Sequence, residues 1–540
     1  MPVLTSLVFT ALPRRVTRPL TVALLVAWAV TMGALVNRSY LQGTSSNLAT
    51  DLARYGSQAT WRGVYYRGEK IGFTVGQTTP ADDGFVIEED ARLQMSLLGA
   101  TTAAIIRTTA RVDREFALRS FDFSLDPGTG PIRIQGQVDG TRLSLTTTSA
   151  AGTRTETRQL PEPPALTLNL ARRLAGAGLT PGARHQWTMF DPATLRNAPV
   201  TIEVGKRELA GAGLSRVPAF RVQMDFAGLR TTSWITDTGE VVREESPMGL
   251  MTIREPAERA RGLAISDRVS ADLLRAAAVV PTFAERAPRI DETRDVLRLR
   301  LRLDGADLPG GDALQGAGQT VRGNEFEIRD LLDMTPGAVD PHAGRHLAPE
   351  PLIESDAPEI REEADRAIAG AATARQKAER LTRYVNGLLD KKPTVSLPSA
   401  REVLRTKVGD CNEHTALYVA MARAAGIPAR VAAGLVYVRG AFYYHAWPEV
   451  YLSDGTSRGL WLPVDPTLNQ FPADATHVRL ARGGLDKQAA ILPLIGRIRI
   501  AITDVELAPT ATRVVAGRRQ DDLGTLDIPL ARRPARGRCE

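Results

Sequence analysis

The chain has 540 residues, too many for one ordinary domain, and a 43% hydrophobic fraction supports folded cores. Its net charge is +7, but 61 acidic residues accompany the 68 basic ones, of which only seven are lysine. The arginines are scattered and not striped with aromatics, which argues against nucleic acid as a partner.

Residues 1–18 contain Arg14, Arg15 and Arg18, and an uncharged run follows from Pro19 to Val36. Eighteen residues at about 1.5 Å each reach roughly 27 Å, enough to cross a bilayer. Three arginines precede the run and one, Arg38, follows it, so the N-terminus is expected in the cytoplasm. The run exceeds a usual signal-peptide core and lacks a clean A-x-A site, so 19–37 is expected to be an uncleaved, single-pass anchor. The body would then lie in the periplasm or another extracytoplasmic space, held to the inner membrane. The two cysteines, Cys411 and Cys539, are far apart, and the second sits in the tail. No structural disulfide is expected between them.

Residues 38–60 read as a linker, and 61–260 as a mainly antiparallel β domain. VYYRGEKIGFTVGQ turns at Arg67-Gly68, IRIQGQVDGTRLSLTTT at Asp139-Gly140 and TTSWITDTGEVVREES at Thr238-Gly239. LTLNLARRLAGAG interrupts them as a helix that ends on glycine, which suggests a curved sheet with a helix against its hollow face. Residues 261–345 are expected to hold a linker helix and a β extension. In VLRLRLRL, Leu297, Leu299, Leu301 and Leu303 should share a buried face opposite Arg298, Arg300 and Arg302. Helical spacing begins near Pro351, with Ala378, Leu381, Val385 and Leu388 on one stripe. Ser399 to Glu402 spells a capping box. Three strands follow: GIPARVAAGLVYV, FYYHAWPEVYL and RGLWLPVDPT. Residues 486–540 form a C-terminal segment in which ILPLIGRIRIAI suggests a strand and the end a loose tail.

The chemistry concentrates in KVGDCNEHTALYVAMARAAGIPAR, residues 407–430. Asp410 can cap a helix with Glu413 three residues on, which puts Cys411 at the first helical position. There the orphan N–H groups and the helix dipole favour a thiolate and could hold an oxyanion. Leu417, Ala420, Met421 and Ala424 supply the buried stripe. Strand alternation puts His445, Trp447, Glu449 and Tyr451 on one face and Tyr444 on the other. Asp465 ends an apolar strand just before a proline and could orient His445 as that imidazole takes a proton from Cys411. Taken singly, each residue has an ordinary structural explanation. Their order along the chain, helix-start Cys, strand His and strand-end Asp, gives the set its weight.

These residues resemble a known family. VGDCNEHTALYVAMARAAGIPARVAAGLVY, YYHAWPEVYL and WLPVDPT are similar to the three core motifs of the transglutaminase-like superfamily. The resemblance spans about 355–480 and implies a papain-like α+β core within 346–485, with a Cys-His-Asp triad at Cys411, His445 and Asp465. It also implies acyl-transfer chemistry on amides through a thioacyl intermediate: peptidase or amidase cleavage, deamidation or crosslinking of a protein or peptide substrate. A triad kept only as a vestige, in a protein that binds through its β domain, is the alternative. Trp447 and His414 are candidate substrate-binding residues, and His477 follows the Asp motif with no assigned role. No cofactor is expected. No metal is expected either, because the six histidines are dispersed along the sequence and no acidic loop has calcium-site spacing.

Overall fold

The computed structural model describes residues 55–509, except 98–99, 129, 212–215, 227, 247–248, 263–276, 306–307, 309–311, 332–336, 393–398, 454–457, 484–490 and 492–493. The expected membrane span and the tail with Cys539 lie outside the described residues. Among those described, no helix is long and apolar enough to cross a membrane.

Strands β1 to β14, from β1 (Thr60–Tyr66) to β14 (Leu250–Arg254), make one antiparallel sheet. Two meanders, β1 to β8 and β9 to β14, join where β1 pairs with β14. The free edges are β8 (Gly152–Gln159) and β9 (Arg184–Asp191), connected through helix α1 (Thr167–Ala177). The hairpin at Arg67-Gly68 uses positive φ at both residues, as the right-handed twist of its strands requires. The sheet is curled. Phe121 of β5 (Leu118–Asp126) lies 5.7 Å from Phe190 of β9, although nine strands separate them along the sheet. Leu166 and Leu170, at the start of α1, fill the hollow. A five-residue helix, α2 (Ala257–Arg261), follows.

The C-terminal half is layered. Helices α3 (Pro358–Ile368), α4 (Ala374–Leu388), α5 (Ala400–Thr406) and α6 (Cys411–Ala424) share one core with the sheet beside them. That sheet has the order β19-β24-β23-β22-β25: β19 (Gly337–Ala338), β22 (Ala429–Val438), β23 (Ala441–Ser453), β24 (Arg458–Pro463) and β25 (His477–Arg482). A third layer has the order β15-β26-β16-β18-β17, formed by β15 (Thr282–Phe283), β16 (Val296–Asp304), β17 (Gln319–Arg322), β18 (Glu325–Arg329) and β26 (Arg499–Leu507). β22 is therefore apolar along almost its whole length. Ala429 and Val431 belong to the core shared with the helices, while Ala433, Leu435 and Tyr437 belong to the core shared with the third layer. A short parallel pair, β20 (Asp390–Lys391) with β21 (Val408–Gly409), ties the end of α4 to the entry of α6.

Two expectations change. Leu297 is 36% exposed, whereas Val296, Leu299, Leu301 and Leu303 are buried. The pairing of β16 with β26 slips between Val296 and Arg298, and such a bulge turns one residue out of the alternation. The arginine face is spent on cross-strand acids, Arg298 with Asp504 at 2.9 Å and Arg300 with Glu327 at 2.6 Å. The C-terminal segment is also not separate, because β26 pairs with both β15 and β16 inside the extension's sheet.

The layers are tied by one buried carboxylate. Glu449 receives Arg479 at 2.6 Å, Arg430 at 2.8 Å and Arg482 at 3.0 Å, and Arg479 also donates to the carbonyls of Ala313, Gln315 and Gly316. Burial would raise the Glu449 carboxyl, but the three guanidiniums hold it far below the usual carboxylate range. Glu449→Ala leaves three guanidiniums without their counter-charge and should cost about 3–5 kcal/mol, read as a lower urea midpoint.

Candidate active site

The site is built at the N-terminus of α6. Asp410 accepts the Asn412 N–H at 3.0 Å, and Glu413 reaches back to the Asp410 N–H at 2.9 Å, completing the capping box. A Cβ on Gly409 would come within 2.2 Å of the Glu413 side chain, so the returning carboxylate needs glycine there. Cys411 follows as the first helical residue, half-buried. Among the described residues its own N–H has no acceptor, as expected at a helix start. The helix is buried around nearly its whole circumference from Glu413 to Arg423, more widely than the expected stripe.

β23 presents His445 with only 8% of its side chain exposed. Helix α6 packs against β23, and the backbone N–H of Ala446, the next residue, favours the thiolate of Cys411. His445 Nε2 lies 2.8 Å from Asp465 Oδ2. A carboxylate on Nε2 fixes the hydrogen there, so the neutral ring keeps its Nδ1 lone pair for a second proton. Asp465 is fully buried in the turn after β24, and its other oxygen accepts the N–H groups of Thr467 and Leu468 at 2.7 and 2.9 Å. Asn386 of α4 braces that turn through the carbonyls of Pro466 and Thr467. Burial alone would raise the Asp465 carboxyl, but the imidazoles of His445 and His477 bring it well below its ordinary value.

The thiol departs from the expectation of a helix-start thiolate. Burial, and then the adjacent Asp410 carboxylate, push Cys411 well above an ordinary thiol, and the Ala446 N–H offsets this only in part. The carboxylates that build the cap, Asp410 and Glu413, add to burial in raising the thiol.

His414 and Trp447, expected near substrate, are fully buried. His414 Nδ1 pairs with the Asp410 carbonyl at 2.7 Å, and burial lowers its basicity. Trp447 sits between His445 at 6.1 Å and His477 at 5.1 Å. As they stand, neither presents a surface to a ligand. Tyr444 lies in the core between the two sheets. Lys391, in β20, had no role in the sequence reading; its half-buried ammonium interacts with Asp465 while burial lowers its basicity.

The largest addition is His477. Its Nε2 lies 3.1 Å from the same Asp465 oxygen that His445 uses, and its Nδ1 faces the Asp474 carboxylate at 3.2 Å. His445, Asp465 and His477 bring their donor atoms within 4.8 Å of one another, so histidines dispersed in sequence do converge in space. Both contacts to Asp465 have hydrogen-bond lengths.

Residues 361–466 match the model of the transglutaminase-like superfamily, and this part of the chain is a transglutaminase-like domain. No curated protein matches the sequence. Among solved structures, a β-barrel-like protein of unknown function from Brucella abortus is 13% identical, covering 36% of this chain and 94% of its own, at TM-score 0.30. A candidate cysteine protease from Cytophaga hutchinsonii is 12% identical, with coverages of 39% and 86% and TM-score 0.25. A candidate protease from Parabacteroides distasonis is 12% identical, with coverages of 73% and 68% and TM-score 0.20.

Two outcomes follow from these charges. Asp410→Asn keeps a good cap but removes the carboxylate beside sulfur, so the pH profile of Cys411 alkylation should move down by a few tenths of a unit. For stability, burial opposes the His477 cation, but Asp465 and Asp474 lift its titration from 6.5 to about 9. A raised histidine stabilises fully below its unfolded value, so thermal unfolding midpoints should fall as pH rises from about 6.5 to about 9.

Proposed function

We propose that this chain is a membrane-anchored, exported cysteine enzyme acting on amide bonds of a protein or peptide, with Cys411 as nucleophile, His445 as general base and acid, and Asp465 as orienter. The observation that carries the reading is the contact of His445 Nε2 with the buried Asp465 oxygen at 2.8 Å, on the strand that packs against the helix opened by Cys411. A papain-like core, with its helix-start thiol against a strand histidine, suits that assignment. In this reading His445 Nδ1 takes the thiol proton as sulfur bonds to the amide carbonyl carbon. The oxyanion draws on the Cys411 N–H. The carbon–nitrogen bond then breaks, the proton passes to the leaving amine, and the acyl group remains on sulfur as a thioester. Water or a second amine, deprotonated by His445, attacks that carbon and releases the thiol. The N-terminal run, Pro19 to Val36, supplies the anchoring part of the proposal.

The raised thiol makes the test decisive. Cys411 acting alone should react more slowly than a free thiol at neutral pH. Iodoacetamide labelling of the full chain carrying Cys539→Ser, followed at the Cys411 peptide by mass spectrometry, reports whether it acts alone. At pH 7 the rate should equal or exceed that of glutathione and fall about tenfold or more in His445→Ala. Labelling slower than glutathione and indifferent to His445 would overturn the enzyme and favour a binding protein with a vestigial triad.

A further inference from the structure

Asp465 accepts two imidazoles on a single oxygen, and the second of these has no part in the proton transfers above. His477 is 5% exposed, on β25. Its Nε2 faces Asp465 Oδ2 at 3.1 Å, and its Nδ1 faces Asp474 Oδ1 at 3.2 Å and the Asp474 carbonyl at 3.1 Å. Every partner is an acceptor, provided both carboxyls are ionised. The donors around them require that state. Asp474 receives Thr476 N–H at 3.0 Å, Thr476 Oγ1 at 2.6 Å and Gln470 Nε2 at 2.8 Å, and Asp465 receives Thr467, Leu468 and His445. A ring with an acceptor on each nitrogen carries a hydrogen on each, and is therefore an imidazolium.

We propose that His477 is a positioning residue of the Cys411 site: a buried cation clamped between Asp465 and Asp474 that fixes the Asp465 carboxylate and divides its charge, so that Asp465 draws a proton onto His445 less strongly than it would alone. The inference rests on the enzyme reading above.

A lone buried carboxylate against His445 would favour the imidazolium and hold its proton to higher pH. Two carboxylates, with Asp474 behind Asp465, would do so more strongly. The His477 cation, 5.9 Å from the His445 ring, opposes both. The titration of His477, lifted to about 9, and that of Asp474, brought down to about 2 despite burial, agree with the geometry. Other titratable or charged groups that act on these carboxylates are Arg294, which acts on Asp474 and Asp465 and donates to the Pro472 carbonyl at 2.8 Å, and Lys391 and the buried His414 on the Asp465 side. Trp447 contributes only its ring edge-on to His477.

Removing the cation should therefore displace the titration of the site. In the full chain carrying Cys539→Ser, the pH profile of iodoacetamide labelling at Cys411 should move up by about one unit in His477→Gln, a neutral side chain that keeps an N–H donor. A profile lowered at every pH but not displaced would mean that His477 merely fills space, and a profile unmoved or moved down would equally overturn the proposal. A second measurement needs no folded variant at that position. With 15N-labelled histidine, of which the chain has six, the His477 ring should show both N–H groups at pH 7.5 in the unmutated protein. A neutral ring there would overturn the proposal. Failure of the enzyme reading is separately visible, because it appears as indifference of the unmutated chain's labelling to His445.

Discussion

The site depends on a carboxylate that has no access to water. Burying an unpaired anion costs several kcal/mol, so Asp465 persists as a charge only because donors surround it on both oxygens. Two come from the backbone of its own turn and two from imidazoles on different strands. Each donor constrains a different piece of chain. The backbone pair sets the turn after β24, His445 sets the register of β23 against α6, and His477 pulls β25 into the same cluster. The site's geometry and the sheet's geometry are thus one problem with one solution.

The same economy appears one strand away. β22 is buried along almost its whole length, so its sequence is nearly unbroken in apolar residues and Arg430 is its one charged side chain. Glu449 pairs with it and with two further arginines, one of which reaches into the third layer through three carbonyls. A β extension that would be optional in a two-layer protein is here part of the wall behind the histidine strand.

Local signals were the legible ones. The capping box at Asp410 and Glu413, and the alternation that sets His445 opposite Tyr444, each depend on a few consecutive residues, and both appear as read. So do the turns of the first sheet. Where the outcome hangs on pairing between distant segments, the sequence was silent or misleading. The bulge that turns Leu297 outward exists only in register with β26, and no property of VLRLRLRL announces it. His477 looked idle because its partners, Asp465 and Asp474, precede it in an irregular loop whose path cannot be read from composition. The thiol is the instructive case. The helix-start position was evident, but burial is the first cause of the raised thiol, and a linear pattern does not report it.

The pairing of β26 carries a consequence for how the molecule comes into being. A chain emerging in order from the ribosome holds β16, β17 and β18 early, with β16 missing its neighbour on one side until the last described strand arrives. Until then one face of β22 has an incomplete cover, and β22 is the strand that positions both β23 and β25. Long-range closures of this kind form late. The cluster that holds His445, Asp465 and His477 together would therefore be completed only after β26 has joined the sheet.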